Sequence, residues 1–505
     1  MDKGQGGLIK TIFLSATAVV FSYLINFFLT PYITDKLGAE AYGFVSLARN
    51  TVGYASIITV AFTAFMVRYI SLEFHKKHYI EANKYYASSI ASTVVLTAII
   101  IVCMIIITVF IQQLFNIPER LLGDVRILFI LVFLGFCFET ITVPFSAGYY
   151  IKDRLDSYQI LKALSYVLEA MVLLILYRFF SSKVWFVGLS LLLAAALIMI
   201  GSIVFSKKLV PELKYKKENV SIKNGLDMLQ NGIWQSVNSL GTTLNSGLDL
   251  WISNLLLNAT QMGQISITKI IVGMFTVLYS TVSQAFQPRM LKAYSSENKK
   301  IFLNELIFAM RFCGAFATCA FAGFIAIGHA YYKLWLPNQD FDLLYRLTVV
   351  SVISSLTDGI IYPAYYVNTL TTKKKIPCFV TIATGVLNVV GMFLLIRYTD
   401  MGIYSIVVTT TILMLFTNGV FNPIYCSVTL KLPWYTLFPL MIRHILVSLF
   451  ITVIFVIVSK AVNPTSWIML IGTAVILIFI GLPIYVILMS NKEEREKIIN
   501  KFLVK

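Results

Sequence analysis

Charge is scarce in this chain: Asp, Glu, Lys and Arg fill only 13% of its 505 positions, about half the share usual in a soluble domain. Histidine is nearly absent, with four in all. The six cysteines (Cys103, Cys137, Cys313, Cys319, Cys378 and Cys426) lie in or beside apolar runs without a Cys-x-x-Cys pair, so neither a disulfide framework nor a zinc site is expected. There is no Gly-x-x-x-x-Gly-Lys-Ser/Thr phosphate loop and no His-Glu-x-x-His. ATP-driven work and zinc hydrolysis are therefore excluded, no cofactor is expected, and active transport would have to draw on a gradient. Connecting segments stay below about 25 residues, too short for a soluble catalytic domain. What fills the chain instead is apolar: 58% hydrophobic and 14% aromatic residues, with mean hydropathy +0.81. Lipid is the natural solvent for such a composition. The net charge of +17 then reads as loop charge that sets orientation, not as a grip on nucleic acid.

Crossing about 30 Å of hydrocarbon takes about 20 apolar residues. Fourteen stretches qualify, near 11–33, 41–66, 87–112, 126–149, 159–180, 184–206, 228–256, 263–287, 304–328, 343–368, 377–397, 401–425, 437–459 and 466–489. The first is too long for a signal peptide and lacks a small-x-small cleavage site. Placing the N-terminus inside puts 28 Lys and Arg on the inner side and nine on the outer, with Arg49, Lys269, Arg311 and Arg443 within spans. This positive-inside bias predicts a multi-pass protein with both termini in the cytoplasm.

An internal repeat divides the chain. A shift of 220 residues lays 37–53 on 257–273 without a gap, matching Leu37 with Leu257, Ala39 with Ala259, Gly43 with Gly263, Ser46 with Ser266, Val52 with Val272 and Gly53 with Gly273. The cations Arg49 and Lys269 coincide in the same register. A shift of 219 brings Glu139 onto Asp358, each five residues before a proline, Pro144 and Pro363. The expected organisation is a six-helix lobe at 1–206, a basic cytoplasmic linker at 207–227, a second six-helix lobe at 228–425, two extra helices within 426–489 and a cytoplasmic tail at 490–505. Six spans per half make the repeats parallel.

Polar residues recur at helical spacing on four repeat-related spans. Gln235, Asn238, Thr242, Asn245 and Asp249 form one stripe; Ser266, Lys269, Gly273, Thr276, Ser280, Gln284 and Gln287 form another. The first span carries Ser15, Ser22, Asn26 and Thr30, and the second Ser46, Arg49, Asn50, Gly53 and Ser56. Polar faces are costly against lipid, so these spans are expected to surround a hydrated cavity; interhelical hydrogen bonding is the plainer account of any single residue. Arg49 and Lys269 lie about eight residues into their spans, about 12 Å deep at 1.5 Å per residue. Three readings compete for them: snorkelling to the headgroups, pairing with Asp249, or binding an anionic ligand such as phosphate, which suits Arg and Lys.

Glu139 and Asp358 are acids beside prolines that free a carbonyl and favour a bend. They suit a site for a coupling Na⁺ or H⁺, and equally a counter-ion role toward Arg311 or another cation; Glu169 is a weaker candidate of this kind. Arg443-His444 reads as an interfacial anchor and Lys373–Lys375 as a topology anchor at anionic headgroups. The linker is expected to lie on the cytoplasmic surface as an amphipathic segment. Asp340-x-Asp342 has the form of a metal-binding pair of sugar-nucleotide transferases, but a solvated loop between helices explains it better.

Fourteen spans in a six-plus-six-plus-two plan, with NFFLTPYITDKLGAEAYGFVSLAR near the start and its Pro31…Leu37-Gly38…Tyr42-Gly43 cluster, resemble the O-antigen type polysaccharide-unit flippases of the multidrug/oligosaccharidyl-lipid/polysaccharide exporter superfamily. The resemblance spans the whole chain. It implies an all-α integral membrane protein, a V-shaped two-lobed bundle with a cationic cavity, and alternating access. The implied cargo is an undecaprenyl-pyrophosphate-linked oligosaccharide, a unit of O-antigen, capsule or exopolysaccharide, carried across the bacterial inner membrane. The implied neighbours are membrane lipids and the polymerase and chain-length proteins of the pathway, with no nucleic acid. Cavity charges of the family fall here on Arg49, Asp249 and Lys269. The first span lacks the charges found there in lipid II flippases, which makes that cargo a poorer fit. An ion-coupled multidrug exporter of the same superfamily is the main rival, disfavoured by two surplus spans and a net basic cavity. A polymerase or ligase of the same pathway would carry a sizeable outer loop with Arg or His.

Overall fold

The computed structural model describes residues 24–25, 27–296, 298–371, 373 and 375–490. Every regular element among them is helical. The first half comprises α1 (27–37), α2 (Ala39–His75), α3 (Tyr79–Val109), α4 (Leu122–Ile151), α5 (Leu155–Phe179) and α6 (Trp185–Leu209). Next come α7 (Ile222–Ser246), α8 (Asp249–Leu256), α9 (Ala259–Gln284), α10 (Gln287–Ser295) and α11 (Lys299–Trp335). Then follow α12 (Phe341–Val352), α13 (Ser355–Ile361), α14 (Tyr365–Leu370), α15 (Lys375–Tyr398), α16 (Tyr404–Phe416), α17 (Asn422–Thr429), α18 (Phe438–Val462) and α19 (Trp467–Met489).

Eleven of the described helices are long and apolar enough to cross a membrane, or twelve if the α12 to α14 segment counts as one span bent by 44°. Sequence reading gives fourteen. Of the other two, the first span lies largely outside the described residues, and α7–α8 is too polar to qualify. α2 continues to His75, nine residues past the apolar run, because a helix needs no lipid-facing side chains once its end reaches water. The expected bends differ between the repeats. Pro144 sits inside an unbroken α4, whereas Pro363 lies in a 3₁₀ turn, Tyr362–Ala364, between α13 and α14. In the twelfth span Pro423, which has no N–H to donate, opens α17 directly after a π-turn at Thr417–Phe421, as a missing helical hydrogen bond requires. The 207–227 linker forms no long helix: beyond α6 it makes a 3₁₀ turn at Lys217–Asn219.

The chain forms two compact units, Met1–Gln264 with Thr381–Val389, and Ile265–Val380 with Val390–Lys505. In the first, α2 packs along α7 and α8. A Cβ on Gly232 of α7 would overlap the Ala61 carbonyl, Ser236 Oγ donates to Ile57 O at 2.6 Å, and Tyr54 Oη donates to Gly247 O at 2.5 Å in the break between α7 and α8. Trp251 of α8 meets the Tyr54 ring at 5.7 Å and donates to Thr51 Oγ1 at 3.4 Å. At the near end of the seam Gly43 and Gly263 touch: a Cβ on Gly43 would stand 2.8 Å from Gly263 Cα, and one on Gly263 would overlap the Ala39 carbonyl. These are the two glycines aligned by the 220-residue shift. Such close backbone approach leaves space only for glycine. Glu40 clamps the same end, with one carboxylate oxygen on Arg120 and the other accepting from Thr260 Oγ1 at 3.0 Å.

The second unit is built on the 37-residue α11. α18 and α19 lie against it through short polar contacts inside an apolar cluster: Thr318 with Ser448 at 2.6 Å, and Ser459 Oγ donating to Ala326 O at 2.8 Å. His444, read from sequence as an interfacial anchor, is buried and hydrogen-bonded to Tyr485 Oη at 2.8 Å, beside Gly314, whose lack of a side chain makes room for both rings. The Asp340-x-Asp342 pair is structural. Asp340 caps α12 by accepting from Leu343 N at 2.9 Å, and Asp342 meets His329 Nε2 at 2.8 Å.

Gly263→Ala should therefore cost about 1–3 kcal/mol by overpacking, seen as a lower thermal midpoint of the purified protein. Gly53→Ala places its methyl in open space and should leave the midpoint unchanged or raised. Equal midpoints for the two variants would refute the close contact.

Candidate functional site

Arg49 sits within α2, half-buried, and Glu169 of α5 is the acid that meets it: Nη2 donates to Oε1 at 3.4 Å, with the side chains 36% and 6% exposed. The guanidinium Nε is buried without a hydrogen-bond acceptor. Glu139 of α4 is exposed and interacts electrostatically with Lys162 of α5 and with Arg49. Two acids and two bases from α2, α4 and α5 thus form one network within lengths of helix that cross the membrane. Isolated, Arg49 would cost at least about 2.5–3.5 kcal/mol in hydrocarbon on insertion scales; Glu169 offsets that cost. The sequence readings for Arg49 were headgroups, Asp249 or a ligand, and its Glu169 partner, 120 residues away, was missed. Beside Arg49, Asn50 is half-buried, and the space next to Gly53 one turn further is open, since a Cβ there would meet no atom within 4 Å.

The α7 stripe divides along its length. Gln235, Asn238 and Thr242 are exposed, whereas Asn245 and Asp249 are buried. Asn245 is committed to a clasp with α15: Nδ2 donates to Gly241 O at 2.9 Å and to Thr381 O at 2.5 Å, and its own carbonyl accepts from Asn388 Nδ2 at 2.7 Å. Its amide serves helix packing, the alternative that a polar stripe always carries. Asp249 is the first residue of α8, where a carboxylate suits the positive end of the helix dipole.

In the second unit Lys269 is half-buried on α9, and Gln284 is exposed at the end of that helix. Asp358 of α13 is held by neutral groups. Asn418 Nδ2 donates to Oδ1 at 2.6 Å and Ser354 Oγ to Oδ2 at 3.1 Å. Asn418 Oδ1 in turn accepts from Tyr365 Oη at 2.5 Å and from Asn422 Nδ2 at 2.7 Å. Asn418 lies in the π-turn, and such turns collect at functional positions. Asn418, Asn422 and Tyr365 were not singled out in the sequence; an Asn-x-x-x-Asn-Pro run inside an apolar span was the available signal. Asn26 lies outside the described residues. Among the described residues no group of three or more His, Cys, Asp or Glu could hold a metal ion.

The Arg49–Glu169 pair predicts a double-mutant cycle. Arg49→Glu and Glu169→Arg should each lower the thermal midpoint. Combined, they should recover part of the loss, a coupling of about 0.5–3 kcal/mol. Strict additivity of the two losses would show that the ion pair carries no stability.

Residues 8–294 match the family described as polysaccharide biosynthesis protein. The uncharacterized membrane protein EpsK of Bacillus subtilis (strain 168) is 27% identical over 486 residues, covering 96% of each chain. Among solved structures, the lipid II flippase MurJ in an inward closed conformation superposes with a TM-score of 0.68 at 15% identity, over 98% of this chain and 100% of that one. An inward-facing multidrug resistance MATE family transporter of the MOP superfamily gives 0.63 at 12% identity, over 84% of this chain and 99% of that one. These likenesses identify the fold as that of the MATE and MurJ transporters. Taken with the family match over more than half its length, the chain is a multi-pass membrane protein of the polysaccharide biosynthesis family.

Proposed function

We propose that this protein is a flippase that carries undecaprenyl-pyrophosphate-linked oligosaccharide units from the inner to the outer leaflet of the bacterial plasma membrane by alternating access. The observation that carries the reading is Arg49: a half-buried guanidinium, one buried N–H without an acceptor, open space a turn away, and a single long contact to Glu169. A cation in this state is poised for a bidentate phosphate oxyanion, which binds a guanidinium more strongly than a carboxylate 3.4 Å away can. In the empty protein Glu169 keeps the charge compensated; arrival of the pyrophosphate displaces it. Lys269, matched to Arg49 by the repeat, is the corresponding cation of the second unit. The exposed Gln235, Asn238 and Thr242 take over sugar hydrogen bonds from water, and the polyprenyl tail stays in lipid.

Two further parts follow from the same reading. Asp358, surrounded by Asn and Ser donors, is the site for a coupling H⁺ or Na⁺. With both termini in the cytoplasm, the seam of Gly43, Gly263 and Glu40 lies at the outer face and parts when cargo leaves. A multidrug exporter is the weaker alternative because the site offers cations to an anionic head, and organic cations would meet Arg49 and Lys162 first.

Replacing both Arg49 and Lys269 by Ala should reduce glycan export to below a tenth of normal in cells lacking their own flippase, with the protein still present in the membrane. Normal export by the double variant would overturn the proposed role. Asp358→Asn should in addition remove the dependence of export on the ion gradient, measured with an ionophore.

A further inference from the structure

Where α3 and α7 begin, the first unit holds a cavity of about 360 Å³. That is space for about a dozen waters at about 30 Å³ each, at the small end of ligand sites. Glu81 and Lys84 of α3, Glu218 of the linker's 3₁₀ turn, and Lys223, Asn224 and Asp227 of α7 line it. Its walls are fixed by the linker's bonds to α3. Asn83 accepts from Lys214 N at 2.6 Å and donates to Glu212 O at 3.1 Å, while Ser88 Oγ accepts from Ser221 N at 2.9 Å and donates to Ser221 O at 3.1 Å. The cavity is therefore preformed.

Two features suit one end of it to an anion. Asn224 is only 8% exposed, and its Nδ2 has no hydrogen-bond acceptor. It stands in the first turn of the 25-residue α7, whose cap Ser221 takes the Asn224 N–H at 3.4 Å and leaves the other first-turn N–H groups to an outside acceptor. Yet a simple anion does not suit the whole cavity, because three carboxylates face two ammonium groups, and Lys84 is already drawn to Glu81 at 2.6 Å. The complement is a ligand with a phosphate at one end and an ammonium at the other. Ile80 and Ile222, adjoining the lining residues, are 73% and 81% exposed, an apolar collar suited to the boundary between headgroups and acyl chains.

We propose that this cavity binds a phosphoethanolamine zwitterion, its phosphate on Asn224, Lys223 and the α7 N-terminus and its ammonium between Glu218, Glu81 and Asp227. A primary ammonium offers three N–H donors to those carboxylates, as a lysine head does; trimethylated choline offers none, so the cavity discriminates between the two. The site is independent of Arg49 and of the cargo assigned above.

The test uses the purified full chain in nanodiscs made of phosphatidylcholine with a minor fraction of phosphatidylethanolamine, and retained lipid is counted by native mass spectrometry. Enrichment of phosphatidylethanolamine by about tenfold is expected, falling at least fivefold in Asn224→Ala and in Glu218→Gln, the second of which lies outside any α-helix and keeps the fold intact. Addition of free O-phosphoethanolamine separates the sources: displacement of the lipid assigns the headgroup site to membrane lipid, and binding of the free compound without lipid enrichment assigns it to a soluble zwitterion. Equal retention of phosphatidylcholine and phosphatidylethanolamine, with no binding of the free compound, overturns the proposal, as does enrichment that both variants leave unchanged.

Discussion

A guanidinium three turns into a membrane-length helix has to be compensated, and in this protein that requirement organises the first unit. Glu169 on α5 answers Arg49 on α2, and Glu139 and Lys162 extend the balance across α4 and α5. Three helices are thereby tied through charge as well as packing. An ion pair of this sort is weak evidence for stability, since desolvation offsets much of the attraction. Its value lies in holding a cation in a polar, partly dehydrated place with one donor unused. The same economy governs α7, whose polar face is exposed from Gln235 to Thr242 and is consumed by hydrogen bonds to α15 in its last turn.

Two acids that the sequence shift aligns are put to different physical uses. Glu139 and Asp358 align in sequence, yet Glu139 stands in a charged network on an unbroken helix, while Asp358 is cradled by Asn418 and Ser354 beside a broken one. The difference follows from local backbone. Pro144 is absorbed within α4, whereas Pro363 falls in a 3₁₀ turn and the chain already bends between Val352 and Ser355. A bent span exposes peptide groups and side-chain amides to one another, which is how a carboxylate can be solvated without a cation.

Much of this was legible in the sequence because lipid simplifies the problem. Helix positions followed from apolar run length, and the pairing of Gly43 with Gly263 was foreshadowed by their coincidence in the repeat. The α7 stripe was visible too, though not that Asn245 would be spent on the Thr381 carbonyl. What stayed hidden were partnerships between residues remote in the chain. Nothing local marks Glu169 as the counter-ion of Arg49, and nothing in the dipeptide Arg443-His444 shows that the imidazole turns inward to Tyr485. Periodicity reports the face on which a residue lies; it does not report what the neighbouring helix brings to that face.

The π-turn before Pro423 has a consequence for everything downstream of it. An extra residue in one turn advances the helical phase by about 100°, given 3.6 residues per turn, so α17 presents a different side from the one a regular helix would show. Were that surplus residue lost, Asn422 would rotate away from Asn418 and the hydroxyl of Tyr365 would lose its company, although no side chain had changed. The wiring around Asp358 is thus encoded partly in a counting irregularity of the main chain, invisible to any comparison that scores residues one column at a time.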